Sequence, residues 1–448
     1  MNTVKNRFFP FLAVVVGCVF NHSCKEVSPT PSKAENDTEP AESANVVRQA
    51  AEFEAQEALW LIWNPYDHKK GASNASVVQQ LVDLVKEHQK VVLAVADSTV
   101  YKDAVSHLLP SIREHPNVVF AFVPSVQFWT RDMGPSFVNL RDGTLAVADF
   151  NFNSWGYATV DDADNQIEEA FDRLAAKQLG LPIVRSKMIS EGGNREVNGK
   201  GVLVTVETVE QGRNPSLSKP EMEAEFQRML GVKKTIWLKE GLKEDEHTFL
   251  GPIKTNDGFD AYTVVTTNGH VDEFARFIND STLLLAEVDS IQLQSGDPIA
   301  LENHRRLEEN FNILKRATDV DGKPFTIVRF PMPDPIYASM EPGDEVYDYI
   351  ETLDYNKGTA PFPKGKKVQV IAAASYLNFI ITNKLVIGQK YADDTETGRA
   401  VALDSIAKSI LQQVFPERAV HMVDALAVNL GGGGVHCISI HQPKHHVQ

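Results

Sequence analysis

From Leu59 onward, short apolar runs rich in β-branched and aromatic residues alternate with longer stretches in which apolar positions recur every three or four residues. The short runs predict strands at Leu59–Trp63, Val91–Ala96, Val118–Val123, Leu145–Phe150, Val202–Val206, Thr235–Leu238, Thr282–Ala286, Phe325–Phe330, Tyr376–Thr382 and Val420–Val423. The longer ones predict helices over 75–88, 163–180, 218–230, 300–317 and 397–414. The third is the best delimited: Ser218 and Glu221 form a capping box and Gly231 is a stop signal. Such alternation implies an α/β protein. Five helices, each set among several strands, permit a five-unit pseudo-repeat, although no repeat is visible in the sequence itself. Two stretches break the rhythm, 239–261 with its Lys, Glu, Asp and Gly, and 331–365 with its prolines and acids; both read as surface excursions. No linker divides the remainder, so 51–448 reads as one domain.

The N-terminus has a different pattern. Lys5 and Arg7 precede an apolar stretch, Phe8 to Phe20, that is too short to span a bilayer. Residues 1–24 therefore read as an export signal, with Cys18 or Cys24 as a lipoprotein-type lipidation site: Val15-Val16-Gly17-Cys18 has the small residue before the cysteine, and after Cys24 the polar sequence begins. Residues 25–50, rich in Ser, Pro, Glu and Asn near their start, cannot bury a core and read as a disordered tether. The expected location is the cell envelope, with membrane contact only through the lipid. A net charge of −16 argues against nucleic acid as a partner and favours a cationic one.

Beyond Cys18 and Cys24 the chain owns one thiol, Cys437, at the end of Gly431-Gly432-Gly433-Gly434-Val435-His436-Cys437. Consecutive glycines are kept where backbone turns tightly or approaches something closely. A buried free cysteine is more often a small hydrophobe than a nucleophile, but four other segments stand beside it. They are Trp129-Thr130-Arg131-Asp132-Met133-Gly134-Pro135, Phe152-Asn153-Ser154-Trp155-Gly156, Glu191-Gly192-Gly193-Asn194 and Gly269-His270-Val271-Asp272-Glu273-Phe274. Period-two alternation in the last would aim His270 and Asp272 to one side of a strand. No close ligand spacing points to a metal, and no cofactor is implied.

In this order the segments, with Arg213-Asn-Pro-Ser-Leu-Ser-Lys219, resemble the agmatine deiminase and bacterial-type peptidylarginine deiminase family of guanidino-group-modifying enzymes, from about Leu59 to Pro443. The resemblance implies a pentein fold, five ββαβ-type units around a pseudo-fivefold axis. It also implies hydrolysis of a guanidinium to a ureido group plus ammonia through a cysteine thiouronium intermediate. By motif match, Cys437 is the nucleophile, His270 the general acid and then base, and Asp132 and Asp272 the clamp on the planar cation. Glu191 and Asn194 would orient substrate, and Trp129 and Trp155 would cover the guanidinium face. Activation of the thiol is expected from His270, the cationic substrate or backbone donors around the glycines.

For the distal end of the substrate, an agmatine-like amine is favoured over peptidylarginine. Arg173 is the only arginine between Asp149 and Leu181, and Asp161, Asp162 and Asp164 suit an amine better than a carboxylate. A non-catalytic guanidine-binding lipoprotein would use the same clamp but has no need of the thiol. A cysteine protease would need an oxyanion hole, not paired carboxylates around its electrophile.

Overall fold

The computed structural model describes residues 46–392 and 398–444. Cys18, Cys24 and all but the last residues of the tether lie outside them. Among the described residues no helix is long and apolar enough to cross a membrane.

One pattern is built five times: an antiparallel strand pair, a helical crossover, and a third strand parallel to the second. The first unit joins Ser136–Leu140, Leu145–Asn151 and Ile183–Ile189, crossing through Ala163–Glu169 and Phe171–Leu179. The second joins Glu196–Val197, Val202–Val206 and Lys234–Leu238, crossing through Lys219–Leu230. The third joins Ala275–Asn279, Thr282–Glu287 and Thr326–Pro331, through Pro298–Arg316. The fourth joins Ile380–Ile381, Leu385–Lys390 and Ala419–Asp424, through Arg399–Val414. In the fifth, Ser439–Pro443 pairs with Gln56–Ile62, which lies parallel to Lys90–Val95, so the two ends of the domain meet in one sheet. This is the pentein arrangement. The crossover helices bury an apolar stripe beneath the sheets; in the second unit Met222, Phe226, Met229 and Leu230 join Val197 and Leu203 of their own strands and Ala146, Phe150 and Val184 of the first unit in one core.

The pattern of apolar positions located ten strands but placed one wrongly. Of Tyr376–Thr382 only Ile380–Ile381 is strand. Tyr376 to Phe379 is irregular backbone that is fully buried, which gives it the composition of a core strand without the ladder. The helix expected over 163–180 is two, Ala163–Glu169 and Phe171–Leu179. His270 and Asp272 are not on a strand; His270 caps a short 3-10 turn, Val271–Glu273, that contains Asp272, which places them by a different geometry. The last residues of the stretch 25–50, expected as a tether, are ordered, since Val46–Gln49 pairs with Ser136–Leu140.

Neither excursion is superficial. Ile253–Lys254 and Asp260–Thr263 join Val368–Ile371 and Tyr337–Met340 in a sixth, four-stranded sheet, over a core that includes Tyr262, Met340, Tyr347 and Ile350. Their polar composition hides apolar positions that face this sheet.

The core runs directly beneath the catalytic segments. Phe274, fully buried and next to Glu273, packs with the residues around Leu283–Leu285. Phe274→Ala is expected to lower stability by about 3–5 kcal/mol, as large-to-small changes of aromatic core residues do; chemical denaturation measures it.

Candidate active site

Every unit is preceded by an irregular lead-in, and the five lead-ins converge. They are Thr130–Met133 before the first unit, Gly192–Asn194 before the second, Val271–Glu273 before the third, Tyr376–Phe379 before the fourth, and Val435-His436-Cys437 before the fifth. They bring Asp132, His270, Asp272 and Cys437 together as the sequence predicted, and all four are buried.

Gly193 shows how tightly they meet. A Cβ at this glycine would lie 2.5 Å from His270 Nδ1, 2.9 Å from Asp132 Oδ1 and 3.2 Å from Asp272 Oδ1. A side chain there would fill the space those three atoms share, and this is why the second lead-in carries Gly-Gly. The Gly193 amide also donates to Asp132 Oδ1 at 2.8 Å, and the Trp155 indole N–H donates to Asp132 Oδ2 at 2.7 Å. Trp155 thus serves first to fix the carboxylate. To do so it sits with its backbone in the left-handed region, φ 56°, where a large side chain is disfavoured and surrounding structure must hold it. His247 Nε2 contacts the Trp155 carbonyl at 2.8 Å and supplies that hold. Trp129 stacks on His68, 5.6 Å between centroids, and meets Trp155 edge-on. Its ring edge and the Cys437 sulfur both crowd the Cβ position of Gly433, at 3.0 and 2.8 Å.

Cys437 Sγ accepts a hydrogen bond from Asn378 Nδ2 at 3.1 Å and lies 3.7 Å from Asp272 Oδ2 and 3.6 Å from Glu273 Oε1. His270 is not among its hydrogen-bond partners. Burial, and then the charges of Asp272, Glu273 and Asp132, push the thiol well above its usual range, against which a backbone contact at Gly434 works. The free site therefore holds a thiol; of the expected protein activators a backbone donor at Gly434 reaches the sulfur and His270 does not hydrogen-bond it. A cation placed among these acids reverses their effect.

His270 is held from both sides. Nδ1 lies 3.6 Å from Asp132 Oδ1 and Nε2 lies 3.4 Å from Glu191 Oε2. Its backbone N–H donates to Asp245 Oδ2, which also takes the Gly269 amide. Burial disfavours the imidazolium, but Asp132 and Glu191 outweigh it and raise the pKa to about 9. Glu191 is fully buried; despite that, Arg213, donating Nε at 2.6 Å, and His270 hold it down at about 2. Both ring nitrogens of His270, Asp272 Oδ1 and Glu191 Oε2 are buried without a hydrogen-bond partner. Buried polar atoms left open in this way mark the place of a guest. Asp272, Glu273 and Cys437 also form the one trio among the described residues with donor atoms close enough, within 4.8 Å, to share an ion; a planar cation would use the same acceptors.

Asn194 does not face this space. Its amide donates to Thr205 Oγ1 and Glu210 Oε1 and its oxygen accepts from Val206 N, so every polar atom is spent on holding the second lead-in to its strand. Asn378, Glu273, Arg213 and Asp245 are the site residues that sequence reasoning passed over. Arg213 lay within a quoted motif; Asp245 lay in a supposed excursion; Asn378 was hidden in a supposed strand.

A family model for Porphyromonas-type peptidyl-arginine deiminase matches residues 48–250 and 253–443. The chain belongs to that family. It is similar to the agmatine deiminase of Pseudomonas fluorescens SBW25, 30% identical over 410 residues that cover 88% of this chain and 95% of the relative. It is 29% identical over 413 residues to that of Pseudomonas aeruginosa LESB58, covering 89% and 96%. Among solved structures, agmatine deiminase of Enterococcus faecalis superposes with a TM-score of 0.69 at 24% identity, over 92% of this chain and all of that one. The Campylobacter jejuni agmatine deiminase gives 0.63 at 22%, over 90% and 97%. This family member is a hydrolase acting on guanidino groups.

Cys437→Ser is expected to abolish turnover and to leave guanidine binding within about tenfold, because the acids and His270 remain; ammonia release and calorimetry read the two. Asp132→Asn leaves a neutral amide where a buried cation is met, and should cost about 3–5 kcal/mol in kcat/KM. At neutral pH, Cys437 and His270 hold two protons between them, whereas attack requires a thiolate beside a protonated His270, one proton fewer. The pH profile of kcat/KM should therefore climb about tenfold per unit and level near pH 9. A profile flat between about pH 6 and 8 would mean that the thiolate already exists in the free enzyme.

Proposed function

We propose that this deiminase acts on a small guanidino-alkylamine of the agmatine type, yielding N-carbamoylputrescine and ammonia. The guanidinium lies between Asp132 and Asp272. Cys437 Sγ attacks its central carbon, the thiol proton having been released to solvent as the cation enters. His270 protonates one terminal nitrogen, the carbon–nitrogen bond breaks and ammonia leaves. Water then attacks the thiouronium carbon and the carbon–sulfur bond breaks; one of its protons restores the His270 imidazolium and the other passes to the departing sulfur, which regenerates the thiol and releases the ureido product.

The observation that carries the choice of amine over carboxylate concerns Arg173. It is the single arginine of the stretch 149–181, and it is spent on Glu169, with Nη2 to Oε2 at 2.7 Å, and on Asp149 at 3.4 Å. Arg213 is likewise spent on Glu191 and the Thr267 carbonyl. A carboxylate-bearing substrate needs a cation to meet it. Of the acids expected to favour an amine, Asp162 has a local task, capping the helix Ala163–Glu169. The agmatine deiminases among the similar proteins support the same reading.

The protein is exported and lipid-anchored in this proposal, on the strength of the sequence before residue 25 alone; labelling with a radioactive fatty acid, lost in Cys18→Ala or Cys24→Ala, tests it. For the substrate, agmatine, arginine and an arginine-ended peptide are compared by ammonia release and ureido product. Agmatine is expected to give the highest kcat/KM. Preference for the peptide would move the assignment to peptidylarginine, and turnover of none of the three would leave only a guanidine-binding protein.

A further inference from the structure

Asp272 is bound asymmetrically. Oδ2 is consumed, with His436 Nδ1 at 2.6 Å and Asn378 Nδ2 at 3.4 Å. Oδ1 has no partner and faces the space it shares with Asp132 Oδ1 and His270 Nδ1. The other ring nitrogen of His436, Nε2, meets Glu52 Oε2, also at 2.6 Å. A carboxylate only accepts, so an imidazole clasped between two of them donates from both nitrogens. Glu52 in turn cannot give up its charge. Its Oε2 takes Arg131 Nη2 at 3.1 Å and Arg276 Nη2 at 3.2 Å, and Oε1 takes the Ile381 amide at 2.8 Å. Despite burial, His436 and the two arginines hold Glu52 well below the usual carboxylate range.

These partners are not scattered. Arg131 adjoins Asp132 in the first lead-in. Arg276 stands in the strand that follows Asp272. Ile381 opens the fourth unit, and His436 adjoins the nucleophile in the fifth. One buried glutamate from the start of the domain thus ties the segments that carry both clamp acids, the thiol and its Asn378 donor, at 8% exposure.

We propose that Glu52 and His436 are positioning residues for deimination: they lock Asp272 so that one oxygen is consumed and the other is presented, charged, to the guanidinium. Neither touches the substrate; both act through Asp272. His270, Arg276, Asp132, Glu273 and Cys437 also face Asp272, yet none of them donates to it within 3 Å as His436 does. The inference rests on the reading that the guanidinium is met by Asp272.

The test uses agmatine as probe and Cys437→Ser as parent, so that binding is measured without turnover. Adding E52Q is expected to weaken binding by about 10- to 100-fold, the size seen when a partner that orients a ligating group is lost. Adding D272N should also weaken it, and E52Q on top of D272N should cost no more than about twofold further, because the route through Asp272 is already gone. H436N, which keeps an N–H near Asp272, should bind more tightly than H436A, although both lose Glu52. Thermal midpoints are followed throughout. An E52Q penalty that persists in D272N, H436N no better than H436A, or unchanged binding in E52Q overturns the proposal. So does failure of both E52Q and H436N to fold, which makes the network scaffold alone. Should the parent bind neither agmatine nor an arginine-ended peptide, the deiminase reading itself fails and takes this one with it.

Discussion

The site depends on an imbalance of charge among buried groups. Asp132, Asp272 and Glu273 are packed around a thiol; of the cations nearby, His436 is clasped between Asp272 and Glu52 and Arg213 is taken by Glu191, which leaves His270. Burial raises the cost of every unpaired negative charge. The chamber responds by holding protons: Cys437 stays a thiol, His270 stays charged, and burial together with Asp272 pushes Glu273 well above the normal carboxylate range. A permanently charged planar guest relieves this strain and frees the sulfur to react in the same event. Recognition and activation are then one electrostatic step, which also spares a reactive sulfur from exposure between turnovers.

The fold supplies the imbalance through its repetition. Each unit begins with irregular backbone at the centre of the ring, so five short segments from distant parts of the sequence contribute one or two side chains apiece. The scheme explains why the elements are so small: a two-residue strand, Glu196–Val197, suffices when its task is to carry Gly192–Asn194 into place.

Much of this was legible in the sequence, and the remainder was hidden for identifiable reasons. Crossover helices have the long period and capping signals that pattern analysis reads well, as Ser218, Glu221 and Gly231 show. Short antiparallel strands such as Ile380–Ile381 carry too few residues to establish a period. The motifs around Cys437, His270, Asp132 and Asp272 were visible because glycine and unlike charges stand out against apolar runs. Asn378 was not, since an amide between Leu377 and Phe379 looks like one polar position in a core strand. The fivefold arrangement supplies the missing signal: once four lead-ins hold catalytic side chains, the fourth unit's lead-in must hold one too. Glu52 had no signal of its own, because its importance lies in contacts to Ile381 and His436 more than three hundred residues away.

Closure of the ring has a consequence for how the molecule comes into being. Gln56–Ile62 is synthesised long before its partner Ser439–Pro443; the Trp60 and Gln442 side chains that bond across this seam are 382 positions apart. At ordinary rates of translation the earlier strand waits on the order of tens of seconds with one edge bare. An unpaired edge invites the wrong neighbour, and this one stays open until Ser439–Pro443 is made. The nucleophile arrives with the closing strand, so catalytic competence waits on the same pairing that shuts the ring.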